Sequence, residues 1–359
     1  MNRGPRVTVL AAFSAAWLAC VAPTAKPSVS APVVPGPSLR FIGRFDTHDP
    51  SHPRFAWSAS AVAARIVGAT VHVHLKDTGY DELQVAVDGE PVRVLSVNPS
   101  REDYEVATGL LEGAHDVVLF KRTEARMGEL QFVGFDPKPI GTVGAPVPNR
   151  RIELIGDSIT AGYGDEGNGI TCTGDAQTFE NEYAAYGAVA SRTLGADHVT
   201  VAWAGRTTEE MGRLFERTLP AHADSQWDFA RFTPDAVVVN LGTNDFNRGD
   251  PGAAAFTRAY VALLRRVRGL YPSAHIVCAL GPMLRDSYPP GVHALSKART
   301  YITASIDSVR ALGDTNVSFL EFPPQDARNG IGCDYHPSKK THALMAEQLA
   351  TALRQRLAW

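Results

Sequence analysis

Four cysteines in 359 residues are too few to staple a fold together. Disulfide-dependent chains are short and cysteine-dense, so this fold must rest on apolar cores. Neither sign of charge is in excess: 35 Lys and Arg against 38 Asp and Glu leave a formal net charge of −3. No basic block is present, which excludes nucleic acid as an expected partner. Beyond the N-terminal segment no apolar run is long enough to cross a bilayer. No repeat or heptad demands assembly, and a monomer is expected. What is present is an apolar fraction of 44% and a length that suggests two domains.

The N-terminus reads as a secretory leader over residues 1–20: "MNRGPR" is basic, "VTVLAAFSAAWLA" is apolar, and Cys20 follows. A cysteine after a small residue at that point resembles a bacterial lipobox, with Trp17 where leucine is usual, and makes Cys20 a candidate for lipidation. The alternative is plain secretion, with cleavage near "LAC" or "VAPTA". Either way the expected location is extracytoplasmic, secreted or lipid-anchored to a bacterial envelope, and membrane contact would run only through that anchor. Residues 21–38, rich in Pro, Ala and Ser, read as a tether. Of the other cysteines, Cys278 lies in the apolar run "HIVCALGP" and reads as packing. Cys172 and Cys333 lie in glycine-containing loops. An export compartment permits a disulfide between them, and two free loop thiols are the alternative.

From 39 to 135 the apolar pattern has period two, as in "ATVHVHLKD" and "GELQFVGFD", with turns such as "DGE" and "LEG" between segments. Short, evenly spaced strands predict an all-β, jelly-roll-like sandwich. Prolines and glycines at 136–149 mark a linker. From 150 to 359 the period changes. Apolar strands "RIELIG", "HVTVAWAG", "DAVVVNLG", "HIVCALG" and "VSFLEF" alternate with helical segments near 182–194, 252–270, 294–312 and 338–357. Met345, Leu349, Leu353 and Leu357 share one face of the last helix. That alternation predicts a parallel sheet covered on both sides, with its site at the carboxyl ends of the strands.

Polar residues with chemical potential collect at those ends. The first strand runs into Gly156-Asp157-Ser158, the second into Ala204-Gly205-Arg206, and the third into Gly242-Thr243-Asn244-Asp245. The loop before the last helix reads Gly332-Cys333-Asp334-Tyr335-His336-Pro337-Ser338. Acyl transfer needs a nucleophile, a base and oxyanion donors. Ser158 at a strand-to-helix turn suits the first role and His336 the second. Gly205 has no side chain to block its N–H, and Asn244 carries a side-chain amide. Taken singly each has a plainer reading: Ser158 as a helix cap, Asn244 and Gly205 as turn residues, His336 as a surface loop residue beside Ser338 capping the last helix. Asp157 and Asp245 read as structural, bonding loop N–H groups.

"GDSIT", the Gly205 turn, "GTND" and "DYHPS" together resemble the four blocks of the SGNH (GDSL-type) hydrolase superfamily over about 150–359. The resemblance implies a flavodoxin-like α/β/α fold and no metal or cofactor. It implies Ser158 as nucleophile, His336 as base, and the Ser158 N–H, Gly205 N–H and Asn244 side chain as the oxyanion hole. In one place the sequence departs from the pattern: the superfamily's aspartate three residues before the histidine is Cys333 here, and Asp334 lies one residue later. Asp334 is the expected third member of a triad; otherwise a backbone carbonyl orients the ring in a Ser-His dyad. Cys333 is a poor orienting group, which favours its being in a disulfide.

A jelly-roll-like domain directly before such a hydrolase domain resembles carbohydrate esterase family 2. That resemblance implies removal of O-acetyl groups from acetylated xylan and 6-O-acetyl hexosides, with an acetylated polysaccharide or oligosaccharide as partner. Tyr163, Trp203, Trp227 and Tyr335, in or near the catalytic segments, are candidate sugar contacts, with core or loop packing as the alternative. Two other functions stay open at this level: a lipase or lysophospholipase of the same superfamily, and a carbohydrate-binding protein with a vestigial esterase site. The β domain could bind sugar or shape one wall of the cleft.

Overall fold

The computed structural model describes residues 1, 2, 4, 39–141 and 148–359. The cleavage region of the leader, Cys20, the tether and linker residues 142–147 lie outside the described residues. From Leu39 to Trp359 the described residues belong to one compact unit.

The first part is a sandwich of antiparallel strands: β1 (Leu39–Ile42), β2 (Arg54–Phe55), β3 (Ala61–Val67), β4 (Thr70–Asp77), β5 (Asp81–Val87), β6 (Glu90–Val97), β7 (Asp103–Thr108), β8 (Ala114–Lys121) and β9 (Leu130–Asp136). One sheet has the order β1-β3-β8-β5-β6 and the other β2-β9-β4-β7. The period-two pattern builds its core. Val71, Val73 and Leu75 of β4 are buried while His72 and His74 between them are half-buried. They pack against Val85 and Leu119 of the facing sheet. In β3 the alternation is lost. One face of "AVAARIV" joins that core through Val62, Ala64 and Ile66, and Ala61 packs instead with Ala59, Phe120 and Ala188. A strand buried on both faces carries no period-two signature, so its sequence does not mark it.

The second part holds the parallel strands β10 (Arg150–Gly156), β11 (Ala196–Ala202), β12 (Ala236–Asn240), β13 (His275–Leu280) and β14 (Val317–Glu321). Their order is β11-β10-β12-β13-β14, the flavodoxin-like arrangement. The helices are α1 (Ser158–Ala161), α2 (Tyr186–Leu194), α3 (Thr208–Leu214), α4 (Ala253–Leu270), α5 (Ala294–Ala311) and α6 (Lys339–Leu357). Ile152 and Leu154 face α2 and α6 through Tyr186, Met345, Leu349 and Leu353. Leu357 of the expected α6 stripe is only half-buried. Ile155 on the opposite face meets Met211, Leu263 and Ile302 of α3, α4 and α5. Helix α3 is an addition to the expected elements, opened by a capping box between Thr207 and Glu210. In the flavodoxin-like order the sequence of strands reverses its direction across the sheet between β10 and β12, which is where a ligand crevice is expected.

A buried seam joins the two parts. Arg44 has no exposed surface; it donates to Glu153 Oε1 at 2.6 Å and to the Arg217 carbonyl at 3.0 Å. Its guanidinium lies 5.4 Å from the ring centres of Phe215 and Phe229. Trp57 Nε1 donates to the same Arg217 carbonyl at 3.1 Å.

Candidate active site

Strand β10 ends at Gly156. Asp157 then caps the single turn α1 by accepting the Ile159 N–H at 3.0 Å. This places Ser158 at the first helical position, where its own N–H has no intrahelical acceptor. Burial raises the Asp157 carboxyl to about 7, against the lowering effect of that capping bond.

His336 Nε2 lies 2.8 Å from Ser158 Oγ, and its Nδ1 lies 3.0 Å from the Cys333 carbonyl oxygen. A carbonyl only accepts, so Nδ1 carries the proton and Nε2 is left to accept the Ser158 hydroxyl. Burial holds the His336 pKa below its ordinary value, while the Cys333 carbonyl and the Asp334 charge pull the other way.

Asp334 does not complete a triad. Its Oδ2 accepts the Tyr163 hydroxyl at 2.8 Å, and Nδ1 of His336 is taken by the carbonyl. Asp334 and Tyr335 adopt left-handed φ values of 49° and 63°, a turn in which the Cys333 carbonyl, not the Asp334 carboxylate, meets the ring. The loop is tied down on several sides. A disulfide joins Cys333 to Cys172, the Cys333 N–H donates to the Gly164 carbonyl at 2.9 Å, and the Asp334 N–H donates to Ile170 at 3.0 Å. At Gly164 a Cβ would stand 2.9 Å from the Cys333 carbonyl oxygen, so only glycine fits against the loop that holds the base.

Gly205 follows β11 with φ of 77°, and no atom lies within 4 Å of where its Cβ would be. Its N–H has no acceptor among the described residues. Asn244 sits in a single 3-10 turn after β12. Its Nδ2 points back toward the first block, 3.3 Å from Asp157 Oδ2 and 3.2 Å from the Arg206 carbonyl. Asn247 Nδ2 donates to Asn244 Oδ1 at 2.8 Å, which fixes the amide's orientation. Asp245 accepts the Thr208 N–H at 3.0 Å and so binds this loop to the start of α3. The first and last blocks thus meet directly, and the third is hydrogen-bonded to the first and second.

The four candidate aromatics separate. Trp227 is buried in the seam, 5.5 Å from the Arg44 guanidinium and 5.0 Å from that of Arg231, and is packing rather than a sugar contact. Trp203 is half-buried, edge-on to Trp57 at 6.4 Å and covered by Arg206 at 4.8 Å. Tyr163 packs edge-on to the His336 ring at 4.6 Å. Burial and Asp334 push its hydroxyl up to about 12. Tyr335, beside His336 in the chain, is 62% exposed.

Residues 41–146 match the family Carbohydrate esterase 2 N-terminal, and residues 154–344, more than half the chain, match the GDSL-like Lipase/Acylhydrolase family. A solved family two carbohydrate esterase from Clostridium thermocellum, in complex with cellohexaose, is 39% identical, with a TM-score of 0.83 over 89% of this chain and 99% of that one. The chain belongs to carbohydrate esterase family 2. Cellulase/esterase CelE of Acetivibrio thermocellus is 41% identical over 337 residues, 90% of this chain but 40% of CelE, so the chain spans less than half the length of that relative. An acetylxylan esterase / glucomannan deacetylase of Cellvibrio japonicus is 25% identical, covering 90% of each. As a family 2 carbohydrate esterase, the protein is a carboxylic ester hydrolase.

Beside the site of this family 2 esterase lie charged residues that sequence reasoning missed. Glu124, on the loop after β8, and Glu180 are buried against the catalytic loops, and the exposed Arg126 on the same loop pairs with both. In the sequence, "KRTE" is the charged end of the period-two segment "HDVVLFKRTE". The one available signal was a dense charge run at the end of an apolar strand.

Proposed function

We propose that this protein is an exported serine esterase that removes O-acetyl groups from carbohydrates, working through an acetyl-enzyme. The observation that carries this is the 2.8 Å contact between Ser158 Oγ and His336 Nε2 at the carboxyl edge of the parallel sheet. In the reaction Ser158 Oγ attacks the acetyl carbonyl carbon and its proton passes to His336 Nε2. The oxyanion is held by the Ser158 and Gly205 N–H groups and by Asn244 Nδ2. Collapse expels the sugar oxygen, which takes the proton from His336. Water then attacks the acetyl-Ser158 ester with the same proton relay, and acetate leaves.

The names of relatives support sugar esters as substrates: acetylxylan esterase and glucomannan deacetylase for one, cellulase/esterase for another. Acetylated xylan and 6-O-acetyl hexosides are the substrates proposed for this chain, with Tyr335 and the half-buried Trp203 as sugar contacts. The basic and apolar leader supports export, and Cys20 supports a lipid anchor. A monomer is sufficient, since the three blocks and the base loop come from one chain.

The test compares acetate release from acetylated xylan, 6-O-acetyl hexosides and 4-nitrophenyl esters of two to eight carbons, with Ser158→Ala alongside. Sugar acetate turnover lost in Ser158→Ala is the expected result. A peak at octanoate would transfer the chain to a lipase reading. Well-folded protein without turnover of any ester would leave carbohydrate binding.

A further inference from the structure

We infer that Glu124, a residue of the β sandwich, is a positioning residue for the oxyanion site. The inference rests on the reading above in which the Gly205 N–H receives the oxyanion.

Glu124 has no exposed surface. Its Oε2 accepts the Ala204 N–H at 2.6 Å. Ala204 immediately precedes Gly205. The other bonds of this turn are long: the Trp203 N–H reaches the Gly156 carbonyl at 3.3 Å, and the Arg206 N–H reaches Trp203 at 3.4 Å. Gly205 contributes no side chain and stands in a left-handed conformation with open space around its Cβ position. Nothing inside the turn therefore fixes the peptide that carries the oxyanion donor. The short bond to a carboxylate anchors the Trp203–Ala204 peptide, the unit directly before it, and a charge-assisted hydrogen bond is about twice as strong as a neutral one.

Glu124 is itself held from several directions. Its N–H donates to Glu180 Oε2 at 2.9 Å, and its carbonyl accepts from the buried Lys121 Nζ at 3.2 Å. Arg126 Nε donates to Oε1. Arg126 Nη2 donates to Glu180 Oε1 at 3.0 Å. The same guanidinium lies 5.4 Å from the centre of the Tyr163 ring, which packs against His336. One loop of the sandwich thus reaches the oxyanion turn at one end and the ring covering the base at the other. The sandwich supports the reacting site through this loop.

Two substitutions separate acceptor geometry from charge. Glu124→Gln keeps an oxygen where the Ala204 N–H needs it. Glu124→Asp keeps the charge beside Arg126 but withdraws the oxygen by one methylene. Each is assayed in the intact chain with 4-nitrophenyl acetate, with thermal unfolding to confirm the fold. Glu124→Asp is expected to lower kcat by about 10- to 100-fold, less than the about 10²- to 10³-fold that outright loss of one oxyanion donor costs, with KM within about twofold. Glu124→Gln is expected to stay within about fivefold of the parent. Folded Glu124→Asp at parental kcat overturns the inference, and so does Glu124→Gln impaired as deeply as Glu124→Asp. Should Ser158→Ala keep its turnover, the reading of the site fails instead, and the two failures are distinct.

Discussion

In the proposed reaction the Cys333 carbonyl fixes the His336 tautomer as a carboxylate would, but brings no charge to the imidazolium that forms. Burial lowers the His336 pKa below its ordinary 6.5. The base works in its neutral form, so activity is retained as pH falls until it reaches that lowered value. The acid limb of kcat/KM is expected to have its midpoint below pH 6.5, and a midpoint above it would contradict this. Asp334 raises the His336 pKa by its charge while its carboxylate bonds Tyr163. Asp334→Asn should move the acid limb lower still and leave kcat at pH 8 within about threefold. Loss of a true triad carboxylate costs about 10⁴-fold, so steady-state rates separate the two arrangements.

The base loop is the element on which the chemistry depends. Two successive left-handed residues sit between Cys333 and His336, and such non-glycine backbone persists only where its surroundings hold it. Here the holders are the disulfide to Cys172, the Gly164 carbonyl and the Ile170 carbonyl. Cys172→Ser is expected to lower kcat by about tenfold or more, because small displacements of a positioned base are costly. Far-UV circular dichroism should not change, and an unaltered kcat would refute the linkage. Elements and site were legible in the sequence to unequal degrees, for physical reasons. The parallel strands and long helices stood out because both their faces or one whole stripe are apolar. Ser158, Gly205 and Asn244 stood out because each follows such a strand, and His336 because it lies just before the last helix. The direction in which Asp334 points was not legible, since a left-handed pair at 334 and 335 leaves no mark in side-chain type. Strand β3 was hidden because its alanines are buried on both faces.

At the scale of the whole molecule the sandwich and the α/β part stand or fall together. Arg44 and Glu153 are both buried in the seam, and Glu153 also accepts the Tyr271 hydroxyl. Removing one partner of a buried pair leaves an uncompensated charge and costs about 3–5 kcal/mol. Arg44→Met should therefore lower stability by about that amount in urea or thermal unfolding. The parent should unfold in a single transition seen alike by probes in either part. Two transitions, or an Arg44→Met variant as stable as the parent, would show the seam to be weak. The proline- and glycine-rich stretch at 136–149 resembles a hinge between independent modules, and no feature of sequence announces that Arg44 crosses the junction.

The seam also bears on how such a chain can be cut and rejoined. An α/β part excised after the linker would carry Glu153, the Arg217 carbonyl and the Ala204 N–H into water or into mispairing, since their partners Arg44, Trp57 and Glu124 all lie upstream. The smallest segment that can be moved into another polypeptide is therefore the pair, taken from before residue 39. In its relative CelE the matched segment, which spans 90% of this chain, occupies 40% of a longer one.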